Sequence, residues 1–280
     1  MSKLDDLIAE VSVTKRLVRV ATDRAGAIAL VGGAGSGATG GESVSYASFA
    51  STVEAAAAGL SWRGLRPRDV VGILVPDAVS FAVAVHAVRA ADGVPSPVDS
   101  TLCAVETAGQ LAESGARMII TAPPLSDVAL AAVDRSWVRQ VFSFADAPGA
   151  THFSDLLGLD MIRPSRGRPD DVALLPFTRG ADGRLRPMPV THAGLADEID
   201  RADQRAGLTG QDVVLATPPV GDGLAYAALI DSALLRGATV VAVSDDELAQ
   251  ASKSRPGSVA LVAPGTELNA PDNLRVVQVA

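Results

Sequence analysis

Short apolar runs rich in β-branched residues alternate with longer alanine-rich stretches along most of the chain. Residues 70–75 have the pattern of a buried strand, Pro76 and Asp77 end it, and residues 78–91 have the composition of a helix. The same order of strand and helix returns three times further along. Alternation of this kind is typical of βαβ units, in which helices join parallel strands. The sequence therefore predicts an α/β protein built on largely parallel sheets.

A change in composition divides this pattern into two series. Residues 149–170 are rich in Gly, Pro, Arg and Asp, which indicates a linker or a long surface loop. We predict two similar α/β subdomains, residues 1–165 with an N-terminal hairpin and residues 166–280. The predicted strands are 70–75, 94–98, 117–121, 138–142, 172–177, 213–216, 238–243, 258–262 and 274–279, and the predicted helices are 78–91, 104–114, 191–206 and 224–235.

Charge and composition exclude several classes of partner. The 280-residue chain has a formal net charge of −8 and no basic cluster interleaved with aromatic residues. It therefore lacks the electrostatic surface that nucleic acids require. No apolar run approaches the roughly 18 residues of a membrane-spanning helix. An acidic start without a signal-peptide pattern and a single cysteine, Cys103, predict a soluble cytoplasmic protein.

The three histidines do not form a recognisable metal site. His86, His152 and His192 are scattered and have no metal-ligand spacing with Cys103. His86 lies in an apolar helical pattern, so we predict that it is a packed core residue.

The first glycine-rich segment, residues 32–41, matches two phosphate-binding patterns in part. It contains the glycine spacing of a dinucleotide fingerprint and that of a P-loop in which Ala38 replaces the lysine. Both patterns need a helix directly after the loop, because the helix N-terminus binds the anion. The strand-like residues 43–46 follow instead. We therefore predict the tip of a hairpin between two strands.

The second glycine-rich segment, residues 174–192, joins a predicted strand to a predicted helix. Gly180 and Gly183 lie in its turn, and Thr191 is of the residue type that caps helix N-termini. With these residues and His192, the segment resembles the phosphate loop of AMP-forming acyl-CoA synthetases, luciferases and peptide-synthetase adenylation domains. In that superfamily a strand leads into a loop of the form S-S-G-T-T-G-x-P-K-G, and a Thr-His pair opens the next helix.

Four further segments resemble motifs of the same superfamily and occur in the family's order. Each is unspecific alone, but with the loop they are spread in order across most of the chain. The resemblance implies the N-terminal part of an adenylate-forming enzyme, with two similar α/β subdomains. The four segments are residues 46–60, 64–77, 87–98 and 235–241.

The loop departs from the family pattern where ATP is bound. The resemblance implies that Thr178 keeps one hydroxyl and that Arg186 keeps a cation at the lysine position. Ala181 and Asp182 stand in place of two threonines, which removes two hydroxyl donors and adds a carboxylate. One like-charge contact at about 4 Å costs on the order of 4 kcal/mol at an effective dielectric of about 20. Pro187 replaces a glycine and removes an amide donor.

We therefore predict a vestigial nucleotide-binding loop. ATP or AMP, with Mg²⁺, is expected to bind only weakly, and no catalytic residue, metal ligand or other cofactor is assigned. The family's later histidine falls near residues 219–224, where the sequence has none. The candidate nucleotide contacts are Thr178, Arg179, Gly180, Gly183 and Arg186.

Three hypotheses for function follow from the resemblance. The first is a pseudoenzyme or accessory subunit that binds a ligand but does not adenylate alone. The second is an acyl- or aryl-adenylating ligase subunit that a partner chain completes. The third is a carrier of an acyl group or another small molecule. The family's later motifs are missing, so we expect a homodimer or a partner protein to cover an apolar face. An acyl or aryl carboxylic acid is the expected ligand.

Overall fold

The computed structural model describes most of the chain. Ala181, Asp182 and the candidate nucleotide contact Gly183 lie outside the described residues, as does most of the glycine-rich segment 32–41. The described residues are 12–33, 38, 42–158, 167–180, 184–219, 221–255, 258–262 and 274–278.

Helices and strands alternate through the described residues. The helices are α1 (Val13–Asp23), α2 (Tyr46–Trp62), α3 (Ala78–Ala90), α4 (Ala104–Ser114), α5 (Ser126–Val133), α6 (His192–Ala206), α7 (Gly223–Arg236) and α8 (Asp245–Ser254). The strands of the first half are β1 (Ile28–Val31), β2 (Ser43–Ser45), β3 (Val70–Leu74), β4 (Val94–Pro97), β5 (Met118–Thr121), β6 (Gln140–Ser143) and β7 (Thr151–His152). Those of the second half are β8 (Val172–Leu174), β9 (Phe177–Arg179), β10 (Leu185–Pro187), β11 (Val190–Thr191), β12 (Val213–Ala216), β13 (Thr239–Ala242), β14 (Val259–Val262) and β15 (Arg275–Gln278).

The first sheet has the strand order β4-β3-β5-β6-β7, and every pairing in it is parallel. Its central strands read as unbroken apolar runs because helices cover both faces. On one face, Ile119 and Val141 pack with residues of α4 and α5. On the other, Ile120 and Phe142 join the main core, to which α2 and α3 contribute.

The second sheet has the order β15-β14-β12-β13-β1-β2 and is parallel except for the β1–β2 hairpin. The N-terminal hairpin was predicted as part of the first subdomain, but β1 pairs with β13 of the second sheet. Two side chains secure this pairing. The hydroxyl of Thr239 donates to the carbonyl of Ile28 at 2.7 Å, and that of Tyr46 donates to the carbonyl of Ala238 at 2.6 Å. The proposed boundary at residues 165 and 166 involves residues outside the description and stays a prediction.

The α/β fold with parallel sheets is confirmed, and the predicted elements occur in the predicted order. The predicted strand 172–177 is wrong in one respect, because it is split into β8 and β9. Pro176 has no N–H to donate to a ladder, and Leu175 is bound to β4 instead: its N–H donates to Pro95 O at 2.9 Å. The predicted linker also contains β7 and a 3₁₀ turn, Phe153–Leu156, whose Phe153 packs on Phe144.

A buried cluster of His86, Arg89 and Asp231 joins the two halves of the chain. Arg89 Nη1 lies 2.7 Å and His86 Nε2 lies 3.0 Å from the carboxylate of Asp231, and all three side chains are at most 2% exposed. Arg89 Nε also donates to the carbonyl of Ala173 in β8 at 3.1 Å. Burial alone would raise the pKa of Asp231, but Arg89 and His86 hold it below its usual value. His86 is a packed core residue, as predicted, and its charged partners were not predicted.

None of the helices in the described ranges has the length and apolar character needed to cross a membrane.

Candidate functional site

The predicted nucleotide loop forms a short antiparallel hairpin between β9 and β10. Thr178 is opposite Arg186, and Phe177 is opposite Pro187. The N–H of Gly180 donates to the carbonyl of Arg184 at 2.8 Å, which brings the two strands together next to the turn. The predicted link from strand to helix therefore contains an additional pair of strands. Thr178 and Arg186 form the middle pair of a three-pair ladder in which Pro187 contributes no N–H donor.

The Thr-His pair after the hairpin starts α6 as predicted. Thr191 is extended, and its hydroxyl accepts a hydrogen bond from the N–H of Gly194 at 3.1 Å. This is an N-cap, in which a side-chain oxygen satisfies one of the free amides of the first turn. The N–H of His192 donates to the carbonyl of Asp171 at 3.0 Å, so the start of α6 is attached to the residue that precedes β8.

His192 is neutral at physiological pH. Burial, with a further contribution from the positive charge of Arg89, lowers the pKa of its imidazole to about 4. Its Nδ1 atom is buried and has no hydrogen-bond partner among the described residues. His192 is therefore not a cation that would attract phosphate at neutral pH.

A cavity of about 270 Å³, which we call the hairpin cavity, lies between the hairpin and the ends of strands from both sheets. Its walls combine apolar and polar surface in similar amounts. Phe81 and Tyr226 meet edge to face with ring centroids 5.0 Å apart, and the hydroxyl of Tyr226 donates to the carbonyl of Thr217 at 2.7 Å. The lining residues are Phe81, Pro97, Val98, Asp99, Leu102, Gln110, Phe177, Thr178, Arg179, Leu185, Pro219, Gly221, Asp222, Gly223 and Tyr226.

Two carboxylates of the lining have structural partners. Asp222 is the N-cap of α7, and its Oδ1 accepts from the N–H groups of Leu224 and Ala225 at 2.8 and 3.1 Å. Asp99 Oδ2 accepts from the N–H of Gly221 at 3.1 Å, which connects the loop after β4 to the loop before α7. Both side chains therefore add negative charge to the cavity wall while holding its two loops in place.

Gly223 lies against Pro97 where these loops meet. A Cβ atom at this position would lie 3.0 Å from the Cβ of Pro97 and 3.7 Å from that of Pro176. The distance to Pro176 is an ordinary contact, but the distance to Pro97 is shorter than most Cβ contacts, so a side chain at position 223 would require Pro97 to move by a few tenths of an ångström.

Helix α4 supplies the remaining polar wall. Gln110 is 6% exposed, and its Oε1 atom has no hydrogen-bond partner among the described residues. One turn earlier, Glu106 accepts from the N–H of Cys103 at 3.1 Å. This bond, with a smaller contribution from the charge of Arg179, lowers the pKa of Glu106. Arg179 thus lies close enough to the start of α4 to act on its charges.

The structure brings two of the five candidate nucleotide contacts to the hairpin cavity, namely Thr178 and Arg179. Gly180 closes the hairpin, and Arg186 is exposed on its second strand. Sequence reasoning missed Gln110, Asp99 and Asp222 as parts of the wall. Of these, Asp222 carried a usable signal, because Asp before Gly223 and an apolar helix is a typical N-cap.

No group of three or more His, Cys, Asp or Glu side chains within the described ranges is arranged to hold a metal ion.

Comparison with known proteins places most of this chain in one family. The family described as AMP-binding enzyme matches residues 17–262. 4-Coumarate–CoA ligase 4 of Arabidopsis thaliana is 30% identical over 228 residues, which cover 76% of this chain and 40% of that protein. Feruloyl-CoA synthase of an Amycolatopsis species is 27% identical over 202 residues, which cover 72% of this chain and 39% of the relative. The chain thus spans about 40% of the length of these curated relatives.

Solved structures share the fold over nearly the whole chain. A long-chain-fatty-acid–CoA ligase from Archaeoglobus fulgidus superposes with a TM-score of 0.79 at 19% identity, over 91% of this chain and 52% of the other. A benzoate CoA ligase from Burkholderia xenovorans LB400 gives a TM-score of 0.75 at 21% identity, over 94% and 54%. At these identities the likeness shows the fold alone, which agrees with the predicted N-terminal part of an adenylate-forming enzyme.

Proposed function

The chain belongs to the AMP-binding enzyme family, and from this membership we propose that it binds a small acyl or aryl carboxylic acid without adenylating it alone. It is then a pseudoenzyme or accessory subunit. The observation that carries the proposal is the lining of the hairpin cavity. There the segment corresponding to the family's phosphate loop contributes two apolar side chains, the hydroxyl of Thr178 and a single arginine, Arg179.

The charges of the wall favour a monoanion over a polyphosphate. Asp99 and Asp222 contribute two negative charges, and Arg179 contributes one positive charge. A carboxylate can pair with the guanidinium of Arg179, which has five N–H donors and so can bind a ligand in addition to a protein group. A triphosphate would bring several negative charges toward two fixed carboxylates, which is unfavourable in a partly buried site.

The hairpin also lacks donors that a phosphate would need. Pro187 contributes no N–H, and the sequence has Ala181 and Asp182 where the family has two threonines. ATP with Mg²⁺ therefore fits this loop poorly. The aromatic and aliphatic walls instead suit a flat apolar body with one charged end, the usual design of a small-ligand pocket. Relatives named for coumarate and ferulate support this choice of ligand class.

ATP–pyrophosphate exchange, combined with direct binding, tests the proposal. A panel of aryl and acyl carboxylic acids should raise the melting temperature of the chain, while exchange with the same acids stays at the background level. Exchange by the chain alone would show that adenylation survives. A panel in which no acid binds would show that the cavity is not an acid site. An acid that co-purifies with the native protein would favour a carrier role for the same site.

A ligase subunit completed by a partner is the second candidate, and one observation favours it. Thr178 and Arg186 face each other across the hairpin, so a hydroxyl and a cation of the family's loop are kept side by side. Pyrophosphate exchange that appears only when a separate chain carrying the remaining part of the fold is added would establish this role. If no such combination shows pyrophosphate exchange, acid binding without adenylation stays as the proposed function.

We further propose that a second copy or another protein covers the edge of the second sheet. Within the described residues β15 pairs only with β14, and Val276 on it is 42% exposed. An edge strand with an exposed apolar residue is a site for association. Native mass spectrometry at micromolar concentration should show a homodimer or a complex with a co-expressed partner. A monomer under all conditions would contradict the proposal.

A further inference from the structure

We propose that the amino ends of three strands of the first sheet form a docking surface for an anionic lipid membrane, on which the protein lies without crossing it. We call this surface the basic edge. The hairpin cavity lies beside the carboxyl end of β4, at the opposite end of the same sheet. The inference therefore goes beyond the proposed function and does not depend on it. The residues of the basic edge are Trp62, Arg63, Arg117, Arg135, Trp137 and Arg139.

Backbone hydrogen bonds bring the parts of the basic edge together. The N–H of Arg117 donates to the carbonyl of Val70 at 3.2 Å, and the N–H of Arg139 donates to the carbonyl of Arg117 at 2.8 Å. These residues therefore lie side by side where β3, β5 and β6 begin, at the strand spacing of about 4.8 Å. The side chain of Gln140 donates to the carbonyl of Arg63 at 2.9 Å, which attaches the end of α2 to the same edge.

Both tryptophans of the chain belong to this edge, and both are exposed. Trp62 is 70% and Trp137 is 65% exposed, whereas every tyrosine and phenylalanine of the chain is buried. The guanidinium of Arg63 lies 5.5 Å from the ring of Trp62, a cation–π contact that helps to hold the indole in place. Large aromatic side chains that share one exposed edge mark a surface for interaction, because their apolar area is unfavourable in water.

The arginines of the edge have no counter-ions within the chain. Arg117, Arg135 and Arg139 are exposed, and within the described ranges none of their side chains forms an ion pair or a hydrogen bond. Elsewhere on the surface, Arg68 pairs with a carboxylate at 2.6 Å, as does Arg201. Like charges on neighbouring strands repel each other. An anionic partner would turn this repulsion into attraction.

Two exposed carboxylates adjoin the edge in the sequence but do not neutralise it. Asp134 precedes Arg135, and Glu113 lies in the last turn of α4. Neither forms an ion pair within the part of the chain that the structure describes. Four arginines and two carboxylates leave this region with a net charge of +2, although the whole chain has a net charge of −8. The region is therefore locally complementary to an anionic surface.

Indoles and guanidinium groups on one edge favour a lipid surface over a protein or a nucleic acid. Tryptophan is enriched at the headgroup level of membranes, and surface arginines are attracted to anionic lipids over about one Debye length. The residues of the basic edge lie on three separate turns in a row. This arrangement suits a flat layer whose headgroups can rearrange around each side chain. Each arginine near the surface should increase the binding constant by about fivefold.

Tryptophan fluorescence of the full chain measures contact directly, because both tryptophans belong to the basic edge. Vesicles of phosphatidylcholine and phosphatidylglycerol in equal parts should shift the emission to shorter wavelengths. They should bind at least about tenfold more tightly than vesicles of phosphatidylcholine alone. Added salt should weaken the binding, since the charges are exposed. The absence of an emission shift with the anionic vesicles would overturn the inference.

Two double variants with the same change of charge locate the binding surface. Arg117→Gln combined with Arg139→Gln should weaken binding to the anionic vesicles by about tenfold or more. Arg201→Gln combined with Arg205→Gln removes two exposed arginines from α6 and should weaken it less than about threefold. Equal losses would show that net charge alone governs the binding, which contradicts a docking surface at the basic edge.

Two soluble polyanions test the other classes of partner with the same fluorescence readout. Poly-L-glutamate represents an acidic protein, and a single-stranded oligonucleotide represents a nucleic acid. Both should bind the chain at least about tenfold more weakly than the anionic vesicles, because neither offers an apolar layer to the indoles. A polyanion that binds as tightly as the vesicles and gives the same emission shift would assign the edge to that class and overturn the lipid proposal.

Discussion

The buried cluster and the hairpin are connected through β8. The charges of the cluster are paired and buried, whereas the arginines of the hairpin are exposed. In the cluster, Asp231 is paired with Arg89 and His86 at 2.7 and 3.0 Å, away from solvent. In the hairpin, Arg179 and Arg186 are exposed. The cluster joins the two halves and so maintains the fold. The hairpin keeps the frame of a phosphate loop, while its sequence departs from the family pattern at Ala181, Asp182 and Pro187. Under the proposed function, the chain keeps the fold and loses nucleotide binding.

Breaking the cluster should have the largest effect. Asp231→Ala leaves the charge of Arg89 buried without a counter-ion, and we expect a loss of about 3–5 kcal/mol in the free energy of unfolding. Arg201→Ala is the control, because it removes an exposed ion pair with Glu198 and should leave stability almost unchanged. Urea denaturation of both variants gives the comparison. Similar stabilities for the two variants would show that the cluster does not hold the halves together.

The stability of the chain should depend on pH through His192. This residue starts α6 after the hairpin, and the charge of Arg89 in the buried cluster acts on it. Its pKa is about 4 in the folded chain because of burial and the charge of Arg89, against about 6.5 when unfolded. As the pH falls, the unfolded chain binds this proton first. The stabilisation is therefore complete above about pH 6.5 and is lost between about pH 6.5 and 4, with a total of up to about 3 kcal/mol.

Urea denaturation of the wild-type chain and of His192→Gln across this range isolates the contribution of His192. The difference in unfolding free energy between them should change with pH only in that window. A difference in unfolding free energy that does not change with pH would contradict the lowered pKa of the His192 imidazole.

Within the hairpin, the two arginines should differ in their effect on acid binding. Arg179→Ala removes the guanidinium that lines the cavity, and the Kd of a carboxylic acid should rise about tenfold or more, as for the loss of a charged hydrogen bond. Arg186→Ala changes an exposed residue on the opposite strand and should alter the Kd less than about threefold. Calorimetric titration measures both. Equal effects would place the carboxylate elsewhere in the loop.

The smallest expected effect is a partial recovery of nucleotide binding. Asp182→Thr combined with Pro187→Gly removes a like charge and restores an amide donor, so ATP affinity should increase by about tenfold. Asp246→Thr, an exposed change of the same type at the start of α8, is the control. A titration with a fluorescent ATP analogue compares the three proteins. If the double variant binds no better than the control, the altered loop is not what limits nucleotide binding.

The sequence predicted the elements well because their signals are local. Residues 104–114 and 213–216 were placed correctly from composition and neighbouring turn residues, and these elements are α4 and β12. The β8–β9 break was missed because Pro176 follows an apolar run that reads as one strand. The hairpin β1–β2 was predicted as part of the first subdomain, and its pairing with β13 was missed because nothing local specifies it.

The cavity and the cluster depend on residues that are distant in sequence. Arg89 and Asp231 are 142 positions apart and become partners only when α3 and α7 pack together. Gln110 reads as one polar residue of an amphipathic helix, and only the fold shows that it faces a cavity. The motif of the nucleotide loop, by contrast, was recognisable because its residues are contiguous in the sequence. Asp182 and Gly183 of this motif lie outside the described residues.

One pair of titrations tests the central claim most directly. The same preparation of the chain is titrated in a calorimeter with 4-hydroxybenzoate and, separately, with ATP in the presence of Mg²⁺. The account predicts saturable binding of the acid and no measurable heat of binding from ATP at the same concentrations. Saturable ATP binding together with no acid binding would contradict it.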